Sequence, residues 1–335
     1  MSSCEVNSTT CSTLNFRASS LQPESSPLSY DSQSYENVNI VKLLSKAKFP
    51  VYQAHSPTKN KHFALKVFRF MDKNPHPYFK NEARFSFLNH PNIIHIAHVE
   101  EEISVCSKGK NKQVSCILME YAPHGDFFDL IKKYKKDINE KLVRTYFKQL
   151  IEGLQYLHEN GVYHLDLKLE NLLLGKDYEM KIADFDLSYI EGDSKVLTRG
   201  TRFYRAPELR ASKCRDGMAA DIYAAGIILF VMKSGGVIPH AEDNLYQGIN
   251  LLELLNTDSQ GFFKKHCEIQ GKDWTFFDSG FKELFTKMIK NDPNERATIS
   301  DIKNSNWYKG STYSKEELKK EYINFSNINF FFLNL

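Results

Sequence analysis

Apolar and polar residues are patterned in two ways along this chain, and the change falls near Tyr121. Upstream, the apolar positions Val38, Ile40, Val41, Leu43 and Leu44 predict a strand. Val51-Tyr52-Gln53-Ala54 and His62–Phe68 predict two more, joined by the polar turn Ser56-Pro57-Thr58-Lys59-Asn60. A short helix over Tyr78–Leu88 is expected to end at His90-Pro91. Ile93–Val105 and Gln113–Glu120 then read as strands around a Lys-Gly-Lys-Asn-Lys turn.

Downstream the period lengthens. Val143, Phe147, Leu150, Ile151, Leu154 and Leu157 recur at helical spacing, with Gly161 where that helix should stop. Leu172–Leu174 and Met180–Ile182 predict a hairpin about Gly175-Lys176-Asp177. The apolar run Met218–Met232 contains Asp221 and is short for a membrane span, so it reads as a buried core helix. Everything later reads as mainly helical. The fold class is α+β: a small β-rich lobe over residues 36–120 and a large helical lobe over 121–308.

Composition changes this picture at the ends. Residues 1–35 hold fourteen Ser or Thr and few large apolar groups, which predicts a disordered, solvated tail, preferred over a phosphorylated one at Ser26-Pro27. Residues 309–335 form a second tail ending Phe330-Phe331-Phe332-Leu333-Asn334-Leu335, expected to pack against the helical lobe. A net charge of +3 argues for neither nucleic acid nor a membrane surface. The six cysteines show no paired metal spacing, consistent with a reduced, intracellular protein, cytoplasmic with a nuclear location left open. Met1–Ser20 lacks the apolar core of a signal peptide, and Ser2 stands where myristoylation needs glycine.

The chemistry concentrates in His164-Leu165-Asp166-Leu167-Lys168-Leu169-Glu170-Asn171, followed by Asp184-Phe185-Asp186. An Asp, a Lys two residues on, an Asn three beyond that and a second Asp across a short hairpin are suited to phosphoryl transfer. This segment resembles the catalytic and magnesium loops of eukaryotic protein kinases. Further motifs in matching order extend the resemblance over residues 36–308.

The resemblance implies a role for each position. Asp166 accepts the substrate hydroxyl proton, and Lys168 neutralises the transferring phosphoryl group. Asn171 and Asp184 hold Mg2+ through oxygen. Lys66, in Phe-Ala-Leu-Lys, contacts the ATP phosphates and pairs with Glu82. Met119-Glu120-Tyr121-Ala122 resembles the hinge: backbone groups of Glu120 and Ala122 bond adenine, Met119 is the gatekeeper, and Val51, Ala64 and Leu173 sandwich the ring. Gly200–Glu208 closes the activation loop, Glu208 pairs with Arg296, and Asp221 ties down the catalytic-loop backbone. Lys168 and Thr201 point to Ser/Thr rather than Tyr specificity on protein substrates. Asp126 and Glu170 stand where basophilic kinases bind an upstream substrate Arg, although Asp126 reads equally well as a helix cap.

Three departures qualify the resemblance. The phosphate-covering Gly-x-Gly-x-x-Gly is replaced by Ser45-Lys46-Ala47-Lys48-Phe49-Pro50, without a glycine. Asp186 replaces a glycine. Leu165 replaces the Arg that binds an activation-loop phosphate, so phosphorylation of Ser194, Thr198 or Thr201 is not expected to switch activity by that route. An active ATP- and magnesium-dependent Ser/Thr kinase is preferred; a pseudokinase serving as an ATP-binding or allosteric scaffold is the alternative.

Overall fold

The computed structural model describes residues 13–15, 37–107, 110–134, 138–193, 200–211, 216–239 and 251–322. The chain divides into two compact units. The smaller spans Met1–Asn89 with His95–Tyr121, and the larger spans His90–Ile94 with Ala122–Leu335. A small β-rich lobe and a larger helical lobe are the two-lobed kinase fold.

The smaller unit is built on a sheet of order β1-β2-β3-β4-β6-β5. Its strands are β1 (Thr13–Asn15), β2 (Asn37–Ser45), β3 (Val51–Ser56), β4 (Lys61–Arg69), β5 (Ile96–Ser107) and β6 (Lys110–Glu120), all antiparallel to their neighbours. One face buries Val38, Ala54, Phe63, Leu65, Val114 and Leu118 as a core. The opposite face carries α1 (Pro77–Ala83) and its packing residues. His76 starts α1 by accepting the Tyr78 N–H on its ring, with Pro77 at the first helical position.

Three expectations change here. The helix over Tyr78–Leu88 is two elements: after Ala83 the chain tightens into a 3-10 turn, Arg84–Phe87, that buries Phe85. The strand expected from Ile93 begins at Ile96, because Asn92 and Ile94 pair with Ile182 of the larger unit instead. And Thr13–Asn15, inside the segment read as a disordered tail, pairs with β2 in the register Thr13↔Asn39. The rest of 1–36, and the Phe-rich end, lie outside the described residues.

The larger unit follows the helical period. Its main helices are α2 (Phe127–Tyr134), α3 (Glu140–Glu159), α4 (Pro207–Arg210), α5 (Gly217–Lys233), α6 (Leu251–Thr257), α7 (Ser259–Gln270), α8 (Ser279–Met288) and α9 (Ile299–Asn304). Two small ladders pair β7 (Val162–Tyr163) with β10 (Tyr189–Ile190), and β8 (Leu172–Leu174) with β9 (Met180–Ile182). The α3 helix stops at Glu159, and Gly161 takes the left-handed conformation (φ 66°) that the sequence reserved for it. Capped by Asp216, α5 is buried along almost its whole length, as an all-round apolar helix must be. No helix among the described residues is long and apolar enough to cross a membrane.

A last helical stretch, 315–322, folds back onto α3. The Tyr322 and Tyr146 hydroxyls are 2.7 Å apart, and the Tyr322 ring stacks on Tyr178 at 4.3 Å. Arg144 donates to the carbonyls of Trp307 and Ser311, and Thr145 accepts the Tyr313 N–H.

Candidate active site

In the smaller unit, residues directly opposite in the ladder share a sheet face. Val51, Lys66 and Ile117 form one row, and Gln53, Ala64 and Met119 the next. Val51, Ala64, Lys66 and Met119, separated by up to 68 positions in sequence, therefore lie on one face. An apolar surface beside a single cation is what an adenine nucleotide requires. Lys66 Nζ lies 2.6 Å from Glu82 Oε2, both side chains nearly buried. Such a pair is costly to break, because the surviving charge is left without its partner. The sheet ends at Glu120, whose N–H donates to the His95 carbonyl. Ala122 opens the larger unit, where Leu173 lies half-buried on β8.

In the glycine-free loop Ser45–Lys48 are exposed, and Phe49 alone is buried. Its ring centroid lies 4.6 Å from Phe68 and 4.9 Å from His76. Lys48, though exposed, holds its ammonium 3.7 Å above the centroid of the Tyr78 ring.

In the larger unit, the catalytic loop follows β7. Leu165, Leu167 and Leu169 are buried, while Asp166, Lys168 and Glu170 between and after them run from buried through half-buried to exposed. Asp221 fixes the loop's start from inside α5, its carboxylate accepting the N–H groups of His164 and Leu165 at 2.8 Å each. His158 Nε2 donates to the same carboxylate at 3.1 Å. These donors explain how a fully buried carboxylate persists in an apolar helix. His164 donates from Nε2 to the Ala183 carbonyl and accepts the Asp166 N–H on Nδ1. Leu165 sits at φ 62° and Asp184 at φ 68°, both left-handed.

Asp166 is surrounded by donors. Thr201 gives its N–H and its hydroxyl to Oδ1, each at 2.7 Å, and Lys168 Nζ reaches Oδ2 at 2.8 Å. Lys168 also donates to Thr201 Oγ1 at 3.1 Å. Burial alone would lower the Lys168 pKa. The hydrogen bond and charge of Asp166, with further contributions from Asp184 and Glu170, raise it instead and keep the ammonium charged. Asn171 donates Nδ2 to the Asp166 carbonyl at 2.9 Å, so its amide oxygen is the atom a cation would take.

Asp126 Oδ1 accepts the Asp129 N–H, so it caps α2. Burial, then the Asp129 and Glu170 carboxylates, push its pKa upward against the backbone donors. Glu208 and Arg296 form a two-pronged ion pair of 2.7 and 3.1 Å, as expected. His158, Ser188 (which donates to the His164 carbonyl) and the buried Phe49 had no sequence signal pointing to the site.

Comparison with known proteins agrees with this arrangement. A family model described as protein kinase domain matches residues 48–308. CBL-interacting protein kinase 26 of Oryza sativa subsp. japonica is 36% identical over 230 residues, covering 67% of this chain and 41% of its own length. CBL-interacting serine/threonine-protein kinase 16 of Arabidopsis thaliana is 31% identical over 293 residues, covering 82% of this chain and 57% of its own. The chain thus spans about half the length of the curated relatives it matches. With family model, lobes and catalytic loop in agreement, the chain belongs to the protein kinase family.

Proposed function

We propose that this protein transfers the γ-phosphate of ATP to Ser or Thr hydroxyls of protein substrates. The observation that carries the reading is the Asp166 carboxylate, held by Thr201 and Lys168 within a loop anchored on the core helix α5. The substrate hydroxyl approaches Asp166, which accepts its proton as the oxygen bonds to the γ-phosphorus. The bond from that phosphorus to the β–γ bridging oxygen breaks, and ADP leaves. Lys168 neutralises charge on the transferring group. Lys66, oriented by Glu82, holds the α- and β-phosphates, while Val51, Ala64, Met119 and Leu173 enclose the adenine and the backbone of Glu120 and Ala122 bonds its edge.

An amide oxygen and a carboxylate suit a hard cation, so Asn171 and Asp184 would hold Mg2+, which neutralises phosphate charge when bound. The Thr201–Lys168 contact favours Ser/Thr acceptors, and the Asp126–Glu170 acidic pair favours a basic residue upstream of the acceptor. A cytoplasmic place of action belongs to the same reading.

The glycine-free loop favours a second reading, a nucleotide-binding scaffold without transfer. Labelled ATP, magnesium and a basic protein substrate separate the two. Wild-type protein is expected to transfer label, and Asp166→Ala or Asp184→Asn to lower the rate by about 10²–10⁴-fold. Wild-type transfer no faster than the Asp166→Ala background would sink the enzyme. Nucleotide-dependent thermal stabilisation would then support the scaffold.

A further inference from the structure

The loop 46–50 makes its contacts inside the smaller unit, to β4 through Pro50 and Phe49 and to the start of α1 through Phe49 and Lys48. That helix has seven residues, too few to be stable alone, so its orientation is set by what it touches. Phe79 packs edge-on against Phe68 of β4 at 5.6 Å. Phe49 bridges the same strand and the helix start, meeting Phe68, the His76 cap and Tyr78 at 5.7 Å. Lys48 adds a cation over the Tyr78 ring. His76 serves twice, since the ring that Phe49 touches also accepts the Tyr78 N–H. Glu82 lies one turn further along α1, and Lys66 Nζ lies 5.9 Å from the Phe49 centroid.

We infer that Lys48 and Phe49 are positioning residues, fastening the loop to the first turn of α1 and thereby holding Glu82 against Lys66. The inference rests on the kinase reading above and deepens it. Where a glycine-rich loop lends backbone amides to phosphates, this loop exchanges that freedom for a fixed ion pair. Leu165 fits the same scheme: a chain without the phosphate-reading Arg assembles its ion pair through contacts inside one lobe.

The test uses the full chain and two readouts. One is kcat and KM for ATP and a basic protein substrate; the other is amide hydrogen exchange across residues 77–83. Phe49→Ala is expected to speed exchange in α1 and lower kcat about tenfold, leaving KM for the protein substrate unchanged. Phe49→Leu, which refills the space, is expected to recover most of both, and Lys48→Ala to shift both less, in the same direction. The Leu and Lys48 variants keep the comparison open should the alanine variant fold poorly. Unaltered α1 exchange in a folded Phe49→Ala protein overturns the clasp, as does a kcat at or above wild type. Should wild type transfer nothing while Phe49→Ala still loosens α1, the catalytic reading falls and the clasp stands.

Discussion

Leu165 shows how one residue stores strain beside Asp166. A leucine at φ 62° costs about 1–3 kcal/mol, and it persists here because Asp221 holds its N–H. Gly200 leans on that same peptide: at φ +115°, an added Cβ would stand 2.5 Å from the Leu165 carbonyl oxygen. Gly200→Ala must therefore displace Thr201, whose two donors to Asp166 follow directly. The expected result is a fall in kcat of about 10- to 100-fold with KM for ATP nearly unchanged, read by steady-state kinetics. Sequence spacing made Asp166, Lys168 and Asn171 legible, because their types and intervals suffice. The conformations of Leu165 and Asp184 were not, since backbone angles at non-glycine residues leave no mark in composition. The sequence left Asp126 open between a substrate-Arg site and a helix cap, and its bond to the Asp129 N–H bears out the cap. Ser194 and Thr198 lie outside the described residues.

Among the elements, α7 carries an unusual group. His266 is fully buried against Phe230 and Phe262, at ring distances of 4.7 and 4.6 Å. Neither of its ring nitrogens meets a hydrogen-bond partner among the described residues. Burial pushes its pKa down to about 4; the nearby Pro239 backbone, outside hydrogen-bond geometry, acts in the opposite direction without offsetting it. The unfolded chain binds this proton near pH 6.5 while the folded one resists it, so stability is full above pH 6.5 and declines as pH falls toward 4. Lowering the pH from 7 to 5 is expected to cost roughly 2 kcal/mol from this group, read as a lower urea midpoint; His266→Leu should remove that component. If the wild-type and His266→Leu midpoints fall equally, the group is not responsible. The helical period found α3, yet it overran α1, because Ala83 and Arg84 suit a helix equally well. The shift to a 3-10 turn comes from burying Phe85, a tertiary demand.

At the scale of the whole molecule, the change of period near Tyr121 and the order of the motifs were enough to read two lobes. What escaped was contact made at a distance. Phe49, an aromatic in a polar loop, is indistinguishable in sequence from an exposed one until β4 and α1 are in place. Thr13–Asn15 carries too little alternation to mark a strand before β2 exists to pair with it. The tail after 308 was expected to pack against the helical lobe; its helix over 315–322 and its seat on α3 were not foreseen, and they bear on where this protein can be cut. The family match closes at residue 308, but Tyr146 and Tyr178 are capped by a tyrosine lying beyond it. A shortened chain ending at Tyr308 would uncover the Tyr146 hydroxyl and release the Arg144 and Thr145 contacts, and it is expected to melt roughly 5–10 °C below one ending at Tyr322. Equal melting of the two would show the seam to be idle; a gap of that size would make Tyr322, rather than Tyr308, the true edge of the cooperative unit.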